Sequence, residues 1–189
     1  EGSQLEQAEA VLAERKGEVA LVTIDIGGND LLACVRGGAQ IDAACVTKGV
    51  ATVEKNLPTI LERLRTAAGP EVPVLVLGYY NPWVAAQTLD QPVEGVEEAA
   101  QGYADLSDAI EAAADGAGAT FVSLDEAFAT NDTTPTEIGG RTIPENAARV
   151  CTLTNLCTAR DIHFSDEGAA TVARVLADAA TTAGVGAAS

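Results

Sequence analysis

The sequence is poor in positive charge. Its 189 residues include 11 lysines and arginines against 28 aspartates and glutamates, which gives a formal net charge of −17 at pH 7. Such a surface repels phosphate backbones and anionic lipid headgroups. We therefore predict a protein that binds neither nucleic acid nor a membrane surface, and we attribute the acidic surface to solubility.

Long apolar runs and signal-like segments are also missing. No stretch approaches the roughly 20 apolar residues that a membrane-spanning helix needs, so no membrane span is predicted. The first residues, Glu1 to Gln4, lack the basic start and apolar centre of a secretory signal peptide. For an exported protein, the signal would have been removed or would lie outside these residues.

Ligands for a metal ion or a nucleotide are scarce as well. The chain has one histidine, His163, and no Cys-x-x-Cys pair, which leaves too few ligands at sensible spacing for zinc. No G-x-G-x-x-G motif or P-loop lysine follows a predicted strand. We therefore predict no metal and no cofactor, and a nucleotide-binding protein is the least favoured class.

Four cysteines form two local pairs, Cys34 with Cys45 and Cys151 with Cys157. The even number and the close spacing favour two disulfides, each closing a short loop. Disulfides indicate an oxidising compartment, so a secreted protein is predicted. Four buried free thiols in a cytosolic protein remain the alternative at this stage.

Helical and strand patterns alternate along the chain. Apolar, β-branched runs predict buried parallel strands at residues 19–25, 72–79 and 119–124. Helices are predicted at 5–15, 50–68, 96–114 and 166–183, with a possible break at Pro58 and a cap at Ser165. Residues 131–160 contain several prolines and glycines and are predicted to be irregular.

This alternation predicts an α/β fold in which helices cover a parallel sheet. There are no internal repeats and no linker that would divide the chain. Three strands make a thin sheet for so many helices. We therefore expect that strands of the complete fold are missing, most simply ones that precede Glu1.

The first predicted strand runs into a glycine-rich loop, Gly27-Gly28-Asn29-Asp30. In open α/β sheets, ligands bind just beyond the carboxyl ends of strands. Gly27 and Gly28 permit positive φ angles and a close backbone approach to a ligand. Asn29 can aim a side-chain N–H at a developing negative charge. A plain glycine turn, in which Asn29 and Asp30 cap the next segment, is an equally weighted alternative.

A second loop, Asp161-Ile162-His163, leads into the last predicted helix. His163 follows the third strand and has a carboxylate close by in the sequence. These features suit a general base that is held in orientation by an acid. The alternative is a histidine that merely satisfies its own hydrogen bonds.

With both loops in place, the sequence resembles the SGNH (GDSL-type) hydrolases, especially secreted actinobacterial-type members. Gly27-Gly28-Asn29-Asp30 looks like the family's G-x-N-D block, and Asp161-Ile162-His163 with Gly168 and a following helix resembles its final block. Residues 78–82 and the two cysteine pairs also resemble those of the secreted actinobacterial-type members. The resemblance implies a single domain over residues 1–189, with a three-layer α/β/α, flavodoxin-like fold. It also implies a five-stranded parallel sheet, three of whose strands are in this chain.

The same resemblance implies hydrolysis of small-molecule carboxylic esters, as in a lipase or esterase, by a serine nucleophile. Asn29 would donate to the oxyanion in an oxyanion hole, and His163 would activate the serine. The family usually places its acid three residues before the histidine, where this sequence has Arg160. Either Asp161 or a backbone carbonyl near Arg160 therefore orients the ring. The loop-support positions are Gly27, Gly28 and Asp30.

The family's Gly-Asp-Ser block, which holds the nucleophile, is absent. Ser107, Ser123 and Ser165 fall in a predicted helix, strand and cap, and Ser3 opens a helix. We therefore expect the serine outside this chain, for example on its own N-terminal fragment as a separate chain. The strand at 19–25 should then have an open edge. A non-catalytic flavodoxin-like binding module, or an inactive fragment, is the alternative.

Aromatic residues cluster after the second predicted strand. Tyr80 and Trp83, together with Tyr79 and Pro82, are placed to form the wall of an acyl pocket. Ordinary packing of these aromatics over the sheet is the alternative. Tyr80 and Trp83 are therefore predicted as substrate-pocket residues.

Overall fold

The computed structural model describes residues 2–36, 40–88 and 93–186. Its α-helices are, in chain order, α1 (Gln4–Glu14), α2 (Gly28–Leu32), α3 (Ala43–Ala68), α4 (Val96–Ala117), α5 (Glu145–Leu153), α6 (Leu156–Ala159) and α7 (Asp166–Thr182). Its strands are β1 (Val22–Ile24), β2 (Val35–Arg36), β3 (Gln40–Ile41), β4 (Val74–Leu77), β5 (Thr120–Val122), β6 (Pro135–Ile138) and β7 (Arg141–Pro144). A 3₁₀-helix spans Pro82–Thr88.

The central sheet has three parallel strands in the order β1-β4-β5. All four residues of β4 are buried, as a strand covered on both faces requires. Val74 and Val76 pack into a core with α3 and α4, whereas Leu75 and Leu77 pack into a second core with α5 and α7. Helical layers therefore cover both faces of the sheet, and the predicted α/β fold is confirmed.

Strand β1 lies at an edge of this sheet. It pairs with β4 on one side, and within the described residues no strand pairs with its other side. Val22 and Ile24 pack against α1 and α3, whereas Thr23, which points to the opposite face, is exposed. The open edge predicted for this strand is confirmed, and one face of β1 there lacks a helical cover.

Helix α3 begins earlier than the apolar pattern predicted. Asp42 caps it by accepting a hydrogen bond from the Cys45 backbone N–H at 3.1 Å. Pro58 lies inside the helix but does not end it. Its neighbours Leu57 and Leu61 are almost completely buried, and this packing offsets the hydrogen bond that proline removes.

The prediction that residues 131–160 are irregular was wrong. The segment forms the antiparallel hairpin β6–β7, followed by α5 and α6. Gly139 and Gly140 both have positive φ angles, 58° and 76°. Two such residues form the tight turn that joins hairpin strands. The glycines that suggested an irregular segment are therefore the turn of a hairpin.

Both predicted disulfides are present. Cys34 and Cys45 are bonded, with their Cα atoms 5.5 Å apart, and so are Cys151 and Cys157, at 5.1 Å. The first joins the segment after α2 to the first turn of α3, and the second joins α5 to α6. The alternative of four free thiols is excluded in this structure. Within the described part of the chain, no helix is long and apolar enough to span a bilayer.

Candidate active site

A cleft of about 240 Å³ opens at the carboxyl ends of the three parallel strands. This is the edge at which open α/β sheets bind ligands. Asn29 and His163, which lie far apart in the sequence, both line it. The fold therefore brings the two sequence motifs to one space, and much of the remaining wall is apolar. The apolar and aromatic wall residues include Leu32, Leu77, Tyr79, Tyr80, Pro82, Leu124 and Phe164.

The asparagine loop depends on its two glycines. Gly27 has a φ of 111°, a conformation that residues with a side chain rarely adopt. A Cβ atom on Gly28 would lie 2.5 Å from Cε1 of Tyr79, so no side chain fits there. The Asp30 backbone N–H closes the turn by donating to the Gly27 carbonyl at 3.1 Å. Gly27, Gly28 and Asp30 thus shape the start of α2.

Asn29 lies in the first turn of α2 and is exposed. Within the described residues its side chain has no hydrogen-bond partner. Its two amide N–H groups are therefore free to donate to a ligand in the cleft.

His163 is held by an acid from its own loop. Its Nδ1 lies 2.5 Å from Oδ1 of Asp161, and its backbone N–H donates to the same oxygen at 3.0 Å. A carboxylate that bonds the backbone two residues later forms an Asx turn. This turn explains how an acid only two residues before the histidine reaches the ring. Arg160, with a φ of 55°, ends α6 and turns the chain into it.

The charge state of Asp161 determines which nitrogen of the neutral His163 ring carries the proton. The hydrogen bond from the His163 backbone N–H, followed by the one from the ring N–H, lowers the pKa of the Asp161 carboxyl from its ordinary value. An ionised carboxylate can only accept hydrogen bonds, so we assign a proton to Nδ1; in the neutral ring the lone pair is then on Nε2. The side chain of His163 is 84% exposed. Nε2 is therefore able to accept a proton from a group in the cleft.

Asn155 connects the histidine loop to α6. Its backbone N–H donates to the His163 carbonyl at 3.0 Å, and its side-chain amide donates to the Phe164 carbonyl at 3.1 Å. The disulfide between Cys151 and Cys157 encloses this residue in the chain. Sequence reasoning missed Asn155, because nothing in a segment taken as irregular distinguishes it from other capping asparagines.

Gly168 brings the start of α7 against the end of α5. A Cβ atom there would lie 1.8 Å from the Leu153 carbonyl oxygen.

We expect Gly168→Ala to lower the free energy of unfolding by about 3 kcal/mol, because a backbone group must move. Urea unfolding measures this change. Gly116→Ala in α4 is the matched control, because a Cβ there meets no atom within 4 Å. We expect it to stabilise by about 0.5 to 1 kcal/mol, and equal effects of the two substitutions would contradict the packing.

The two aromatic residues predicted for the pocket lie in different places. Tyr80 lines the cleft and is buried, and its ring stacks on Phe128 with centroids 4.5 Å apart. Trp83 is not among the residues that line the cleft. It lies in the 3₁₀-helix and packs against the core formed with α3 and α4. Pro82, at the start of that helix, forms the wall instead.

No serine lines the cleft within residues 2–36, 40–88 and 93–186. The Ser165 hydroxyl caps α7 and donates to the Thr152 carbonyl at 2.8 Å. Ser123 bonds to Asp125, and Ser3 caps α1. Likewise, the described residues contain no group of His, Cys, Asp and Glu that could hold a metal ion.

Comparison with known proteins identifies the family of this chain. The family model described as "GDSL-like Lipase/Acylhydrolase family" matches residues 2–171. A solved structure, the phospholipase A1 from Streptomyces albidoflavus NA297, is similar over 72% of this chain and 69% of that chain, with 22% identity and a TM-score of 0.44. A search of curated proteins finds no match. From the family match over most of its length, the chain belongs to the GDSL-like lipase/acylhydrolase family.

Proposed function

We propose that the cleft is the active site of a secreted carboxylic-ester hydrolase whose serine nucleophile lies outside these 189 residues. One observation carries this proposal: the unpartnered Asn29 amide and the Asp161-oriented ring of His163 line the same cleft. A donor for an oxyanion and a general base are the two parts that acyl transfer requires besides a nucleophile. The two disulfides support the secreted location.

The reaction would run through an acyl-enzyme. The serine Oγ attacks the ester carbonyl carbon, its proton passes to Nε2 of His163, and the carbonyl electron pair moves onto oxygen. The Asn29 amide donates to that oxyanion. The intermediate then expels the alcohol, which takes the proton from His163. Water, activated by the same nitrogen, hydrolyses the acyl-serine and restores the enzyme.

The open edge of β1 supports a serine on a neighbouring strand. A parallel strand paired along that edge would end on the same side of the sheet as β1, beside the Asn29 loop. Its serine would then face the cleft. None of the described serines lines that cleft. We call these 189 residues together with the serine-bearing segment, joined or separate, the complete enzyme.

The walls of the cleft suggest an ester with an apolar acyl group. Leu77, Leu124 and Phe164 offer apolar surface beside Asn29 and His163. Apolar walls with a few convergent polar groups are typical of small-molecule pockets. We therefore propose small-molecule esters as substrates.

We expect Asn29→Ala to lower kcat of the complete enzyme by about 10²- to 10³-fold and to change KM little, since the donor acts on the transition state. Hydrolysis of a p-nitrophenyl acyl ester measures both constants. Asn131→Ala is the matched control, because Asn131 is exposed in a turn and does not line the cleft. An equal loss of kcat in both variants would show that Asn29 is not part of the oxyanion hole.

The same assay separates an enzyme from a binding module. The complete enzyme should hydrolyse the ester, and the 189-residue chain alone should not exceed the uncatalysed rate. If the complete enzyme also fails with short and long acyl esters, the ester-hydrolase proposal is wrong, and a non-catalytic flavodoxin-like module is the better account.

A further inference from the structure

Two consecutive tyrosines follow β4 and reach the two functional loops. We infer that Tyr79 and Tyr80 are positioning residues that together set the placement of Asn29 relative to His163. Tyr79 holds the asparagine loop, and Tyr80 holds the histidine loop. The expected effect on catalysis rests on the proposed function. The expected effect on the two loops does not.

Tyr79 contacts the asparagine loop through its ring. The ring lies so close to Gly28 that a Cβ atom there would be 2.5 Å from Cε1 and 2.8 Å from Cζ. Tyr79 also packs with Val53, Leu106 and their neighbours in the α3–α4 core. One side chain therefore packs the start of the asparagine loop against the core.

Tyr80 contacts the histidine loop. Its hydroxyl donates to the carbonyl of Ile162, the residue before His163. The ring is 7% exposed, stacks on Phe128 and lies 5.9 Å, between centroids, from Phe164. Burial is the main cause that raises the pKa of Tyr80, so this hydroxyl remains a donor. One side chain thus holds the histidine loop by a hydrogen bond to the residue before His163 and by a ring contact with the residue after it.

The two tyrosines pack on opposite faces of the sheet. Tyr79 packs with the α3–α4 core, and Tyr80 belongs to the core formed with α5 and α7. They follow the central strand β4, all of whose residues are buried. Consecutive Cα atoms are about 3.8 Å apart. One peptide unit, shortly after the end of β4, therefore links the side chain that contacts the Asn29 loop to the side chain that contacts the His163 loop.

Removing each contact tests this directly. Tyr79→Leu takes away the ring that covers Gly28, and Tyr80→Phe takes away the hydroxyl that bonds to the Ile162 carbonyl but keeps the ring packing. In NMR spectra of the 189-residue chain, we expect Tyr79→Leu to shift the amide signals of Gly28 and Asn29 and to leave the His163 ring signals in place. We expect Tyr80→Phe to do the reverse. His163 is the sole histidine, so its ring signals cannot be confused with others.

Thr181→Val is the control for both variants, because it also removes a hydroxyl. The Thr181 hydroxyl is exposed on α7 and donates to the Ala177 carbonyl at 2.9 Å, and Thr181 does not line the cleft. We expect this variant to shift the signals of neither loop. The inference is overturned if either test variant leaves its own loop unchanged, or if both variants shift the same signals.

Kinetics of the complete enzyme give the second readout. Tyr79→Leu and Tyr80→Phe should each lower kcat by about 10- to 100-fold with KM nearly unchanged, because misplaced groups lose more in the transition state than in binding. If the NMR shifts appear but wild-type complete enzyme has no esterase activity, the proposed function fails while the positioning role stands. If wild type is active and the variants keep its kcat, the positioning role fails.

Discussion

Replacing His163 with alanine is expected to lower kcat of the complete enzyme by about 10⁴- to 10⁶-fold. The ring supplies the only imidazole in the sequence, and we propose that its Nε2 is the general base. Without it, the serine hydroxyl keeps its proton and attacks the ester poorly. The loss is measured from initial rates of p-nitrophenyl ester hydrolysis, divided by the protein concentration.

Imidazole in the buffer provides a control for this variant. The His163 side chain is 84% exposed, so a free imidazole molecule can reach the space that alanine leaves. We expect it to restore part of the activity of His163→Ala but not of Asn29→Ala, which lacks a different group. A His163→Ala enzyme that keeps its rate within about tenfold would exclude this histidine as the general base.

Replacing Asp161 with asparagine is expected to lower kcat by about 10²- to 10⁴-fold. The amide keeps an oxygen for the His163 backbone N–H but offers an NH₂ group to the ring, which favours the tautomer with its proton on Nε2. That tautomer cannot accept the serine proton. Because the Asp161 side chain is 48% exposed, water can take over part of its hydrogen bond to the ring, and the expected range therefore extends down to about 10²-fold.

Asp166→Asn is the matched control for this substitution. Asp166 is an exposed carboxylate in the first turn of α7, and it makes no contact with the ring within the described residues. We expect its kcat to stay within about twofold of wild type. A loss of only a few-fold in Asp161→Asn would instead assign the orientation of the ring to a backbone carbonyl, as in a catalytic dyad.

The parts of the site that sequence predicts are those with a local signature. A buried apolar strand that ends in Gly-Gly-Asn indicates a ligand loop, because few other sequences combine positive φ angles with an exposed amide. The spacing of Asp161 and His163 looked unusual against the family pattern. The Asx turn resolves it, since that turn joins residues two apart.

Long-range contacts could not be predicted in the same way. The hydrogen bond from Tyr80 to the Ile162 carbonyl joins segments that are separated by 82 positions. Nothing in either segment indicates its partner, and Tyr80 was therefore predicted only as a wall residue. The side chain of Trp83 lies away from the cleft because a 3₁₀-helix follows the strand. Short 3₁₀ turns carry little signal in sequence.

Labelling with a fluorophosphonate probe, which reacts with activated serines, tests the central claim most directly. The account predicts that the complete enzyme is labelled at one serine outside residues 1–189, and that His163→Ala abolishes this labelling. It also predicts that the 189-residue chain alone is not labelled. Peptide mass spectrometry that finds the label on Ser3, Ser107, Ser123 or Ser165, or finds no label in an intact complete enzyme, would contradict the account.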